Sequence, residues 1–271
     1  MMPYMGSGYQ PRMTILTPQQ LTGRASDHVQ SVSALSCPLH PEAAAALLAL
    51  AAEASTHNID LVALSGFRDF DRQLAIWNGK FRGERPLLDL HGHPLDVRTM
   101  NAEGIVRAIL AWSALPGASR HHWGTDVDVY DRAALPIGAP QLVVSEYVRD
   151  GVFAALVAFL DARALHYGFF RPYDSDRGGV QPEPWHLSYA PVASTALPAL
   201  TPAVLREALV GAPLCGAEVV DRLLPEIHER YVLRVATAPA AAVTPAAPAG
   251  TAPAGAAPAS TAPAIPATRP S

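Results

Sequence analysis

Two histidines, two aspartates and a glycine fall within ten residues of this chain, Ser119-Arg120-His121-His122-Trp123-Gly124-Thr125-Asp126-Val127-Asp128. An imidazole nitrogen and a carboxylate oxygen are ligand types that suit a catalytic Zn²⁺. His121 and Asp128 are too far apart in sequence to share one helical turn. We therefore expect a loop that turns at Gly124 and enters a β-favouring run to bring the two side chains together at a metal site.

A catalytic zinc ion takes three protein ligands and keeps an open position for water, so a third ligand must come from another segment. The best candidate is His186 in Glu183-Pro184-Trp185-His186. Pro184 disfavours an α conformation at Glu183, so this segment is extended or a turn and differs from the helical His-Glu-x-x-His motif. Glu183 is then a candidate general base for a zinc-activated water.

The residues alone leave two ligand positions open. Asp126 competes with Asp128, because residues two apart on a strand point to the same face. His122 competes with His121 in the same way, as the neighbouring imidazole.

Arg68 is the candidate substrate contact. It follows a short apolar strand at residues 61–64 and precedes a helix that Asp69 or Asp71 can cap. At such a position its guanidinium can bind the free carboxylate of a peptide C-terminus with two parallel hydrogen bonds, or stabilise an oxyanion. The competing interpretation is a surface arginine paired with one of the two aspartates.

Three further polar features complete the candidate list. Gln73 and Ser119 are plausible secondary hydrogen-bond donors to a substrate. His91 and His93 form a His-x-His pair, but Gly92 and Pro94 interrupt any strand there, which favours a solvated loop.

The ordered motifs Ser65-Gly-Phe-Arg68-x-x-x-x-Gln73, Ser119-x-His121-x-x-Gly124-x-x-x-Asp128 and Glu183-x-x-His186 resemble those of VanY-type D-alanyl-D-alanine carboxypeptidases. This group of zinc peptidases includes VanX and shares a core with the Hedgehog signalling domain. The resemblance implies one Zn²⁺ held by His121, Asp128 and His186, with Glu183 as base and Arg68 as substrate or transition-state contact. Asp126 departs from the motif, which usually has a small residue there, so its contribution to the metal site stays open.

The resemblance also implies an α+β fold with a small antiparallel sheet flanked by helices. We divide the chain into an N-terminal arm at residues 1–30, a zinc carboxypeptidase core at 31–196, accessory helices at 197–235 and a disordered tail at 236–271. The tail is almost entirely alanine, proline, threonine and glycine, and it lacks the large apolar side chains that offset chain entropy.

Composition narrows the possible partners and compartments. A net charge of −4 argues against nucleic acid and against an anionic membrane surface as partners. No secretory signal peptide is evident at the N-terminus, which predicts a cytoplasmic protein, or a periplasmic one if the true start differs. Cys37 and Cys215 are far apart in sequence and are expected to be reduced thiols.

These features predict a zinc carboxypeptidase that removes the terminal D-alanine of a peptidoglycan stem peptide or muropeptide, with D,D- or L,D-specificity. The alternative is a catalytically silent module that binds cell-wall peptides or a protein on the same fold. The presence of every residue needed for catalysis, Glu183 and His186 included, favours the enzyme.

Overall fold

The fold is described by a computed structural model that covers residues 15–135 and 137–243. Most of the predicted disordered tail, residues 244–271, and the first half of the predicted N-terminal arm, residues 1–14, lie outside the described residues.

A four-stranded antiparallel sheet lies at the centre of the described chain. Its strands are β1 (Leu61–Ser65), β2 (Asp126–Asp131), β3 (Phe169–Phe170) and β4 (His186–Tyr189), in the spatial order β1-β2-β4-β3. The described chain combines this small antiparallel sheet with helices, so the predicted α+β class is confirmed.

Ten α-helices accompany the sheet within the described residues. They are α1 (Pro18–Leu21), α2 (Pro41–Thr56), α3 (Phe70–Phe81), α4 (Ala102–Leu110), α5 (Val144–Tyr147), α6 (Ala154–Arg163), α7 (Ala190–Ala199), α8 (Pro202–Leu209), α9 (Ala217–Ile227) and α10 (Ala240–Val243). Short 3₁₀ turns precede α4 and β2 and follow α6, and a π-helical segment, His228–Leu233, continues α9.

Several helix starts follow from their capping residues. Asp69 accepts a hydrogen bond from the backbone N–H of Arg72 and begins α3, as one of the two predicted caps. Thr17 and Gln20 form the reciprocal capping box of α1, and Thr201 caps α8 before a proline at its first position. Helix α7 was not predicted, although it follows β4 directly.

The two faces of the sheet differ in polarity. Val127, Val129 and Leu187 are fully buried in an apolar cluster that includes residues of α2 and α6. Asp126 and Asp128 alternate with these valines, so their side chains lie on the opposite face. The sheet therefore has one apolar face for the core and one polar face for the site.

A second apolar cluster is separate from the first and is formed mainly by helices. It contains residues of α3, α4, α7, α8 and α9, with Trp77 and Trp123 fully buried among them. The predicted accessory helices therefore share a core with α3 and α4 in the predicted peptidase domain. Helix α7 spans the predicted domain boundary between residues 196 and 197.

Polar contacts also join the C-terminal helices to the rest of the chain. The indole N–H of Trp77 donates to the carbonyl of Cys215 at 3.0 Å, and Asn78 donates to the carbonyl of Pro213 at 2.8 Å. Arg107 on α4 makes two hydrogen bonds to Glu226 on α9. Both cysteines are free thiols, as expected. No helix in the described part of the chain is long and apolar enough to span a bilayer.

Gly124 is the backbone position on which the central stretch depends. It has φ +68° and ends the 3₁₀ turn before β2. A Cβ at this position would lie 2.8 Å from the backbone nitrogen of His40 and still closer to Val29. The turn therefore requires both the left-handed conformation and the absence of a side chain.

We expect Gly124→Ala to lower the free energy of unfolding by roughly 3 kcal/mol, since a left-handed alanine and an overpacked contact each cost about 1–2 kcal/mol. Gly92→Ala is the control, because Gly92 has φ +82° but no atom within 4 Å of a built Cβ. Urea denaturation with a chelator present measures both variants without a contribution from metal. Equal losses would show that the close approach at Gly124 does not constrain the fold.

Candidate active site

Three side chains with metal-binding atoms converge on the polar face of the sheet. In the antiparallel pair of β2 and β4, Asp128 lies directly opposite His186, and the 3₁₀ turn Arg120–Trp123 adds His121. One ligand atom from each of the three residues lies within 4.8 Å of the others, and all three residues are buried. The distances are 3.5 Å from His121 Nε2 to Asp128 Oδ2 and 3.2 Å from His186 Nδ1 to Asp128 Oδ1.

Hydrogen bonds outside the cluster orient both imidazoles. His121 Nδ1 lies 2.8 Å from the carbonyl oxygen of Gly66, which can only accept, so Nε2 is left for a metal ion. His186 Nε2 lies 2.8 Å from Asp126 Oδ1, which leaves Nδ1 for the metal. A histidine ligand that donates its second N–H to a carbonyl or carboxylate is the usual arrangement at protein metal sites.

The donor set fits zinc. Two imidazole nitrogens and one carboxylate are a common set of three protein ligands for a catalytic zinc ion. Asp128 Oδ1 is buried and makes no hydrogen bond, although His186 Nδ1 is near. A buried carboxylate oxygen without a hydrogen-bond partner is costly, and a cation in the cluster would remove that cost.

The charge on His186 depends on its carboxylate neighbours. Burial opposes the charged imidazolium, but the hydrogen bond to Asp126 and the nearby carboxylates of Asp128 and Glu183 outweigh it and raise the pKa of His186 well above its usual value. These carboxylates therefore favour a second proton on the imidazole of His186 when no metal ion is bound. A metal ion must displace the proton from Nδ1 when it binds.

Asp126 lies outside the cluster and is fully engaged by other partners. Its Oδ1 accepts from Arg120 Nε at 2.8 Å and from His186, and its Oδ2 accepts from Thr125 Oγ1 at 2.6 Å and Ser188 Oγ at 3.0 Å. Burial disfavours its charge, yet the Arg120 guanidinium and these hydrogen bonds hold the pKa of Asp126 far below the usual range. The geometry thus separates the two aspartates: Asp128 faces the ligand cluster, and Asp126 supports His186.

His122, the other open alternative, is also fully occupied. Its Nδ1 is bonded to the carbonyl oxygen of Arg68, and its Nε2 accepts from the backbone N–H of Gly117 at 3.1 Å. Because both ring nitrogens are hydrogen-bonded to backbone groups, His122 connects two loops and has no nitrogen left to bind a metal ion. His91 and His93 are exposed on the loop between α3 and the 3₁₀ turn before α4, as Gly92 and Pro94 predict.

Glu183 lies beside the cluster in a cavity of about 270 Å³. Its Oε2 is 3.3 Å from His186 Nδ1, and its side chain is 14% exposed. Burial raises the pKa of Glu183, against the opposing effect of His186. Residues 183–186 form a turn, one of the two predicted forms, which is closed by a hydrogen bond from the His186 N–H to the Glu183 carbonyl at 3.1 Å. Strand β4 begins at His186.

Arg68 lines the same cavity and makes no ion pair with a described carboxylate. It donates to Gln73 Oε1 at 2.8 Å and to Ser65 Oγ at 3.2 Å, so Asp69 and Asp71 are not its partners. Gln73 is fully buried behind it and donates to the Ala114 carbonyl at 2.7 Å. Gln73 therefore does not line the cavity itself, but its hydrogen bond positions Arg68, which does.

Ser119 lines the cavity, and in the described structure its hydroxyl group makes no hydrogen bond. The cavity is also lined by Lys80, Trp112 and Tyr173, which were not among the predicted site residues. Lys80 is in the last turn of α3, where a lysine is also favoured by the helix dipole, so its sequence context alone carries no functional signal.

We expect Asp128→Ala to abolish stoichiometric zinc binding, because it removes one of three ligands. Asp126→Asn should keep the ion but bind it about 10–100-fold more weakly, because a hydrogen bond to a ligand is disturbed. Metal analysis after dialysis and competition with a chelating indicator measure the two effects.

Asp131→Asn is the control for these variants, because Asp131 is a buried carboxylate on the same strand that does not line the cavity. It accepts a hydrogen bond from the backbone N–H of Asp60. The substitution should leave the zinc affinity unchanged. Loss of zinc in Asp126→Asn with retention in Asp128→Ala would mean that the ligand is the other aspartate.

The sequence of residues 36–192 matches the protein family VanY: D-alanyl-D-alanine carboxypeptidase. This segment is more than half of the 271 residues and contains every ligand and cavity residue named in the three motifs. It ends before α8 and α9, so these helices lie outside the matched region.

Two curated proteins of Haemophilus influenzae, both described as uncharacterized, are similar in sequence. One is 37% identical over 122 residues, which are 44% of this chain and 93% of that protein. The other is 39% identical over 103 residues, which are 37% of this chain and 70% of that protein.

Solved structures with a similar fold include VanYB in complex with D-alanine-D-alanine, at TM-score 0.45 and 20% identity, covering 73% of this chain and 90% of that one. The LD-carboxypeptidase LdcB is similar at TM-score 0.44 and 21% identity, covering 76% and 78%. Similarity at this level does not assign a substrate. The family match over residues 36–192 does assign the family: the chain belongs to the VanY family of D-alanyl-D-alanine carboxypeptidases.

Proposed function

We propose that this chain is a zinc-dependent carboxypeptidase that hydrolyses the bond to the C-terminal D-alanine of peptidoglycan stem peptides. One observation carries the proposal. His121, Asp128 and His186 present three ligand atoms to one point, and Glu183 and Arg68 line the same cavity. A metal site, a base and a free cation are the groups that a metallocarboxypeptidase needs.

His121 Nε2, His186 Nδ1 and Asp128 would hold the ion. A zinc ion in such a site supplies positive charge that lowers the pKa of a coordinated water to about 7 and polarises a carbonyl group. Asp126 supports this arrangement from outside by fixing the tautomer of His186.

Glu183 is the proposed general base. It takes a proton from the attacking water as the new C–O bond forms, and it returns a proton to the nitrogen of D-alanine as the C–N bond breaks. Its raised pKa suits both steps, because a carboxyl group whose pKa is closer to the working pH can act as a base in one step and as an acid in the next. The 14% exposure of its side chain leaves it in contact with the cavity.

Arg68 is the proposed contact for the substrate carboxylate. Gln73 and Ser65 hold its guanidinium through neutral oxygens, so its positive charge is not neutralised within ion-pair distance by any described carboxylate. A peptide C-terminus can supply the missing anion with two parallel hydrogen bonds. Selectivity for a free C-terminus follows, since an internal peptide bond brings no such charge.

We expect Glu183→Gln to lower kcat by roughly 10²–10⁴-fold, the usual range for loss of a general base, while the zinc content stays at that of the wild type. The matched control is Glu42→Gln, which changes an exposed carboxylate in the first turn of α2 and should not alter kcat. Release of D-alanine and metal analysis give the two readouts. A Glu183→Gln variant with wild-type turnover would contradict the assignment of the base.

The substrate is tested with stem tripeptide, tetrapeptide and pentapeptide, with masses measured after incubation with the zinc-loaded protein. We expect loss of one D-alanine from at least one of the two longer peptides and no change in the tripeptide. Cleavage of the tetrapeptide alone indicates L,D-specificity, and cleavage of the pentapeptide alone indicates D,D-specificity. If the zinc-loaded protein cleaves neither, the proposed function is wrong, and a silent binding module becomes the better interpretation.

A further inference from the structure

A second cation faces the cavity in addition to Arg68. Lys80 lies in the last turn of α3, is partly buried and lines the cavity that contains Glu183 and the ligand cluster. Among the residues that the structure describes, its ammonium group has no hydrogen bond and no ion pair. In contrast, both arginines that line this cavity, Arg68 and Arg120, have side-chain partners.

The position of the Lys80 ammonium group has an energetic cost. Burial is the main cause that lowers the pKa of Lys80. The charge of Glu183 opposes this shift, and the charges of Arg68 and Arg85 add to it. The helix dipole explains a lysine at the end of α3, but an exposed side chain would satisfy that preference equally well. A cation that stays partly desolvated without a partner is stabilised when a ligand brings an anion to it.

The charges of the site leave Lys80 available for the substrate. Arg120 also lines the cavity, but its charge is neutralised by the buried Asp126 at 2.8 Å. Asp128 belongs to the metal cluster, and Glu183 must stay free to accept a proton. The proposed function assigns Arg68 to the terminal carboxylate of the peptide. Lys80 therefore matches a second negative charge on the same substrate.

The size of the cavity limits where that second charge can be. A volume of about 270 Å³ is near the lower end of ligand pockets, which are roughly 300–1,000 Å³. A cavity of this size can hold only the part of the peptide next to the scissile bond. The second anion thus belongs to the residue that precedes the scissile bond.

We propose that Lys80 binds a side-chain carboxylate of the residue preceding the scissile bond. The preferred substrate is then a stem tetrapeptide whose diamino acid is also a diacid, such as diaminopimelate, rather than lysine. This inference rests on the proposed function, which it deepens, and it selects L,D-specificity, because the diamino acid directly precedes D-alanine only in the tetrapeptide.

Two tetrapeptides that differ only in this carboxylate test the inference. One carries diaminopimelate and the other lysine, which is the same side chain without the distal carboxylate. We expect the zinc-loaded wild type to cleave the diaminopimelate peptide with a kcat/KM about 10–100-fold higher, the range for one charge-assisted hydrogen bond.

Lys80→Met keeps the length and apolar stem of the side chain and removes its charge. We expect this variant to lose the preference by cleaving the diaminopimelate peptide more slowly, while its kcat/KM for the lysine peptide stays near that of the wild type. Lys80→Arg should retain most of the preference. Arg85→Met is the control, because Arg85 is an exposed cation near the end of α3 that does not line the cavity, and the preference should remain.

The outcomes separate this inference from the function on which it rests. If the wild type cleaves neither tetrapeptide nor pentapeptide, the proposed function fails and this inference fails with it. If the wild type cleaves both tetrapeptides equally, or cleaves only pentapeptides, the carboxylate contact is wrong and the peptidase remains. If Lys80→Met lowers kcat/KM for both tetrapeptides by the same factor, Lys80 acts on Glu183 or on the fold and does not bind the substrate carboxylate.

Discussion

The antiparallel pairing of β2 with β4 is the interaction on which the site depends. Asp128 is opposite His186, and Asp126 is opposite Ser188, so four polar side chains share one face while Val127 and Leu187 share the other. A slip of one residue would exchange the two faces and bury the carboxylates in the apolar core. The hydrophobic pattern that stabilises the sheet therefore also fixes the position of the metal ligands.

The charged side chains near the polar face form two pairs with different roles. Close to the ligand cluster, Asp126 and Arg120 neutralise each other and orient His186, and both are fully or almost fully buried. Toward the cavity, Arg68 and Lys80 are positive groups without a carboxylate partner among the described residues. The first pair has a fixed geometry, and the second pair can attract a negatively charged ligand.

Sequence reasoning singled out His121, Asp128, His186, Glu183 and Arg68, which the structure brings to one cavity, because these side chains lie in local motifs whose spacing reflects a turn or a strand. It left Asp126 and Asp128 open, since both lie on the same face of β2, and only the pairing with β4 shows which one reaches the cluster. Lys80 was missed because its importance comes from the packing of α3 against the cavity. Helix α7 was missed because small residues and two prolines give it a weak helical pattern.

The central claim is that one zinc ion binds between β2, β4 and the turn before β2. Diffraction from crystals of the zinc-loaded protein, measured at the zinc absorption edge, tests it directly. The account predicts a single strong anomalous peak bonded to His121 Nε2, His186 Nδ1 and an oxygen of Asp128 at about 2.0–2.2 Å, with Asp126 still bonded to His186 Nε2. A peak coordinated by Asp126, or no peak at this cluster, would contradict it.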